Sequence, residues 1–144
     1  MFKTTRLAIA LSASVGLALP LAVGAEESFA AFEVQEQNGV SYISGGIGLD
    51  EREAMNAMAN EYNLRISVAT KGEGKYLSDA KVTVQDKQGN VVLEDMANGP
   101  WFWAKLPSGT YKVTAEIDGK AQTRTVTIGN SGAARLDLYW NEPS

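Results

Sequence analysis

The stretch from Asn98 to Ala115 constrains the fold more than any other part of the chain. It places Trp101, Phe102 and Trp103 in a row, reverses direction at Leu106-Pro-Ser-Gly109, and then alternates strictly. In an extended chain Trp101 and Trp103 share one face, and Phe102 and Ala104 share the other. After the reversal, Tyr111, Val113, Ala115 and Ile117 lie opposite Thr110, Lys112, Thr114 and Glu116, the pattern of a half-buried antiparallel strand. Burying one indole removes roughly 150 to 250 Å² from water, worth at most about 4 to 6 kcal/mol. Whole domains are stable by only about 5 to 15 kcal/mol. Trp101 and Trp103 are therefore expected between two sheets, with Phe102 pointing away from that core.

The remaining chain supplies strands to complete such a core. Leu64, Ile66 and Val68 alternate with Arg65 and Ser67, and Ala80, Val82 and Val84 restart the period after a Lys71–Lys75 break. Asp86-Lys-Gln-Gly-Asn90 turns the chain into Val91–Met96, and Asp118-Gly119 is a two-residue hairpin turn into Ala121–Ile128. On the last strand Leu136, Leu138 and Trp140 face inward, opposite Arg135, Asp137 and Tyr139. Seven short strands without a helical crossover predict an all-β, two-sheet antiparallel sandwich.

Upstream, Asp50 followed by Glu53 and the spacing of Met55, Met58, Ala59 and Tyr62 predict an amphipathic helix over Glu51–Tyr62, ending at Asn63 and lying on the sandwich as a lid. Val40–Ser44 reads as a short strand ended by the glycine turn Gly45-Gly46-Ile47-Gly48, and residues 26–37 as a loosely docked arm.

Lys3 and Arg6, the apolar run Leu7–Val23 and the small residues up to Ala25 predict a signal peptide over 1–25, cleaved near Ala25. Ser12, Ser14 and Pro20 interrupt the run, which falls short of the roughly 20 residues of a membrane span. Cleavage is thus expected to leave a periplasmic or secreted protein without stable membrane insertion. The chain has no cysteine, so its core must stand without disulfides. Its net charge of −4 becomes more negative by two once Lys3 and Arg6 are removed. With lysines scattered singly, nucleic acid and anionic lipid are poor partners.

Lacking histidine as well, the chain cannot assemble Ser-His or Cys-His pairs or a zinc site of the usual kind. Ser78 near Lys75 or Lys81, and Ser108 near Lys105, sit in turns rich in small polar residues. Gly45-Gly46-x-Gly48 ahead of a helix is a poor phosphate loop, because Asp50, Glu51 and Glu53 put negative charge where the anion would sit. No catalytic residue, metal or cofactor is expected.

Gly99-x-Trp101-x-Trp103-x-x-Leu106-Pro107-x-Gly109-x-Tyr111-x-Val113, preceded by the Val82 to Gly89 hairpin, resembles the carboxypeptidase regulatory-like domains, the prealbumin-like sandwiches. The resemblance covers about Leu64 to Trp140. It implies a seven-stranded Greek-key sandwich over 64–141, with the arm, glycine turn and helix of 26–63 as an extension of the kind carried by small exported bacterial proteins. It further implies a noncatalytic accessory module of the cell envelope that binds a protein partner. The alternative is a glycan- or peptide-binding sandwich. Its candidate surface is Phe102, Tyr139, Tyr42 and Tyr76 with the loop glycines Gly45, Gly46 and Gly48, where Tyr42, Ile47 and Tyr76 would line a small pocket. Phe102 itself is expected beneath the helix, against Met55, Met58 and Tyr62, or else exposed beside Tyr139.

Overall fold

Turn chemistry sets the strand ends. Asn38-Gly39 (φ 51° and 77°) and Asp118-Gly119 (φ 52° and 76°) hold both central residues in the left-handed region, the backbone twist that suits a two-residue hairpin. The first folds β1 (Gln35–Gln37) onto β2 (Val40–Gly45), the second β7 (Gly109–Ile117) onto β8 (Lys120–Ile128). Asp86 closes a third hairpin, between β4 (Lys81–Gln85) and β5 (Val91–Met96). Its Oδ1 accepts from the amides of Gln88 (3.0 Å) and Asn90 (2.9 Å). These bonds, that from Asn90 foremost, hold the Asp86 carboxyl below its usual pKa. At the Leu106-Pro-Ser-Gly109 reversal, Tyr111 donates its hydroxyl to Pro107 O at 2.7 Å, so the Leu-Pro-x-Gly-x-Tyr spacing is the reach of one tyrosine back to its own turn.

The computed structural model describes residues 32–141. The leader expected over 1–25 and the first part of the arm lie outside the described residues. None of the described helices is long and apolar enough to cross a membrane.

The described residues are mostly β, with two sheets and one α-helix. With β3 (Leu64–Thr70), β6 (Trp101–Lys105) and β9 (Ala134–Trp140), one sheet runs β1-β2-β6-β3-β9 and the other β5-β4-β7-β8. Among the described residues there are nine strands, where seven were expected in the sandwich. The additional pair is β1–β2. Its first strand escaped notice because its polar side chains pair with an edge instead of filling the core. Gln37 donates to Glu94 O (2.9 Å) and accepts from Glu94 N (3.0 Å), while Asn38 donates to Val92 O (3.1 Å), covering the otherwise open edge of β5. The sheets are also not purely antiparallel, since β3 and β9 run parallel.

The core inverts the expected phase of β6. Phe102, 1% exposed, lies between the sheets with Leu64, Ile66, Val68, Leu138 and Trp140, facing Val82, Val84, Leu93 and Val113. Its ring stacks on Tyr42 at 5.5 Å. Trp101 and Trp103 are on the outer face of the same sheet, stacked on each other at 5.3 Å. There Trp103 joins Ile43, Met55 and Tyr62 in a second, smaller apolar cluster. The reason is register: Ile66 pairs with Phe102, so the phase that β3 buries carries Phe102 inward with it.

That outer cluster is what α1 (Leu49–Ala57) covers. The helix starts at Leu49 and stops at Ala57, with a 3-10 turn at Ala59–Glu61, so it is shorter than the span Glu51–Tyr62. Asp50 and Glu53 do not cap it. Gly48 is the N-cap, and Glu51 Oε1 instead accepts from the amides of Gly46 (2.6 Å) and Ile47 (2.9 Å). Asn63 does not end the helix but brackets Leu106, donating to its carbonyl and accepting from its amide, each at 2.8 Å.

Candidate functional site

The sheet pairings order the outer face of β6, β3 and β9 into three rows, because cross-strand partners present their side chains on the same side. The first row is Trp103, Arg65, Arg135 and the second Trp101, Ser67, Asp137. Where β6 ends, Tyr76 takes its place beside β3, so the third row is Tyr76, Ala69, Tyr139. A groove of about 460 Å³ lies over these rows, with Asn56 of α1 and Gly74 on its walls.

Each row has its own chemistry. Tyr76 and Tyr139 are 56% and 46% exposed, with the small Ala69 between them. Two strand spacings separate them, about 10 Å. A flat ring in van der Waals contact on both sides needs about 8 Å, so the gap leaves room for a puckered one. In the middle row the Ser67 hydroxyl donates to Asp137 Oδ1 at 2.9 Å, which leaves Oδ2 for another donor. In the first row the Arg65 guanidinium stands 5.4 Å from the Trp103 ring centre and donates to Ala59 O, at the start of the 3-10 turn, at 2.7 Å. The Arg135 side chain has no ion pair or hydrogen bond among the described residues.

The groove collects two of the candidate residues, Tyr76 and Tyr139. Gly46 and Gly48 meet Tyr76, Ile47 and Arg52 at a smaller hollow of about 210 Å³ next to it. The backbone amides there are already taken by Glu51, an internal carboxylate in the place where a phosphate would sit. Gly45 is packed where a side chain would strike Glu51. Phe102 and Tyr42 cannot be surface contacts. Phe102 is neither beneath the helix nor beside Tyr139, and Tyr42, 2% exposed, points into the sandwich and donates its hydroxyl to Asp95 Oδ2 at 2.7 Å. Burial and that bond hold the Tyr42 phenol above its usual pKa. Phe102 was placed outward by the inverted phase of β6, and Tyr42 by its nearness to the glycine turn, whereas β2 turns it into the core.

Arg65, Ser67, Arg135 and Asp137 were read from the sequence only as outward positions, and Trp101 as core, none of them as site residues. Each polar one alternates with an apolar neighbour and reads as an ordinary solvent-facing position. Only the parallel pairing of β3 with β9 sets Ser67 beside Asp137, 70 positions apart. Ser108 turns toward Asn130 Oδ1 at 3.0 Å. Among the described residues no cluster of acids could hold a metal ion. Compared with known proteins, the chain matches no family model and no curated sequence.

Proposed function

We propose that this chain is an exported, noncatalytic binding module whose ligand is a glycan held in the outer-face groove. The observation that carries this reading is the third row: two exposed tyrosines flank a small residue, one row from a hydroxyl and a carboxylate. Sugar rings present apolar faces to aromatic side chains and hydroxyls to planar polar groups, and both are offered here side by side. The absence of histidine and cysteine supports a role in binding over one in turnover. Two sheets with a Leu-Pro-Ser-Gly-Thr-Tyr turn pinned by Tyr111 support the kinship with carboxypeptidase regulatory-like, prealbumin-like domains. In this reading β1, β2 and α1 are the extension of an envelope protein delivered by its leader.

Trp101 lines the groove and provides the readout. Titration of residues 26–144 with a panel of neutral and acidic sugars is expected to give a saturable change in tryptophan fluorescence. Tyr139→Ala should abolish it at an unchanged urea midpoint. Silence across the whole panel, or saturation by unstructured peptides in place of sugars, would overturn the glycan reading. A protein-partner role draws on a different observation, the 61% and 63% exposure of Ile47 and Leu49 at the start of α1.

A further inference from the structure

Resting on the glycan reading of the groove, we infer that the sugar it takes is acidic and that its carboxylate is anchored on Arg135. Of the four arginines among the described residues, Arg65 and Arg135 line this groove and Arg52 lines the smaller hollow beside it. Arg52 stands over the Tyr76 ring at 5.9 Å and donates to Gly46 O at 3.1 Å. Arg65 is spent on the carbonyls of Ala59 and Tyr62. Neither is paired with a carboxylate in these contacts, and the Arg135 side chain has no partner at all among the described residues. The one acid lining the groove, Asp137, gives an oxygen to Ser67.

Arg65 and Arg135 are moreover direct cross-strand neighbours. Like charges in that position destabilise a sheet, and an anion bound at the free guanidinium removes the penalty. A guanidinium fork matches a carboxylate with two parallel hydrogen bonds. The rest of the chain is acidic, so the overall field repels an anion and this local patch must supply the attraction. The spacing agrees. Arg135 and Tyr139 are four residues apart on one strand, about 13 Å, a span that an extended arginine and one sugar ring fill together. The ring then occupies the slot beside Ala69, its hydroxyls meet Asp137, and its carboxylate meets Arg135.

The test compares neutral sugars with acidic counterparts, namely glucose with glucuronate, galactose with galacturonate, and N-acetylglucosamine with N-acetylmuramate, which carries its acid on an added lactyl ether. Each is titrated into residues 26–144 and into Arg135→Gln and Arg135→Lys. In at least one pair the acid is expected to bind at least about tenfold more tightly, the factor of one charge-assisted bond, and added salt should weaken the acid alone. Arg135→Gln should erase the preference by weakening the acid more than the neutral member, and Arg135→Lys should restore part of it. Equal affinities in every pair, or a preference that survives Arg135→Gln, would overturn the acidic anchor and leave the glycan reading standing. No binding by any sugar would overturn both.

Discussion

The two sides of β6 are built from neighbouring residues, yet they have become different kinds of surface. Inward, Phe102 and Ala104 join strands of both sheets in a continuous apolar layer with exposures of a few percent. Outward, Trp101 and Trp103 share their face with Lys105, Arg65, Ser67, Arg135 and Asp137, and only the Trp103 end is roofed, by Met55 and Tyr62. Size of side chain therefore did not choose the core. Two indoles outweigh one phenyl ring, but a face is buried as a unit, and the indole face includes four charged positions that a sandwich interior cannot pair.

Exchanging the aromatics one at a time breaks or sharpens this contrast. Phe102→Ala should cost about 3 to 5 kcal/mol, the usual loss for a buried ring, seen as a large fall in the urea midpoint. Trp101→Ala, which removes a half-buried ring stacked on Trp103, should cost only about 1 to 2 kcal/mol. Equal losses, or the reverse order, would mean that the inner and outer faces have been exchanged. Asn63→Ala tests the join between them, since this side chain ties the end of the helical segment to Leu106 of the core. Removing both bonds should cost about 1 to 3 kcal/mol, and Asn63→Asp should recover only the bond from the Leu106 amide.

The smallest effect lies in the other sheet, in the β4–β5 hairpin. The lowered pKa of Asp86 means that its carboxylate stabilises the fold at neutral pH. That contribution is present above the ordinary aspartate range and is lost as the pH falls through the lowered value. Asp86→Asn should lower the urea midpoint at pH 7, and the gap from the parent protein should narrow on acidification. A gap independent of pH would assign the turn to shape instead of charge.

Much of this architecture was legible before the fold was known. The inward residues of β3, β7 and β9, the Asp86 hairpin and the Asp118-Gly119 turn follow from local alternation and turn chemistry, and all are in place. The phase of β6 was legible in part. Lys105 sits in register with Trp101 and Trp103, and Leu106 beyond it belongs to the core, both signs that the indoles face out. Asn38-Gly39 likewise announced a hairpin, although β1 lacks the apolar alternation that usually accompanies one. The groove was legible only through Tyr76 and Tyr139. Its polar half consists of residues that look solvated wherever they stand alone.

Local chemistry settled where strands begin and turn, and the lack of histidine and cysteine removed whole classes of reaction, because these properties belong to a residue and its near neighbours. Which side of β6 became interior, and which arginines would meet, depended on how β3 lies between β6 and β9. A strand carries two faces whatever its sequence, and the long-range register with its partners decides which of them is kept from water.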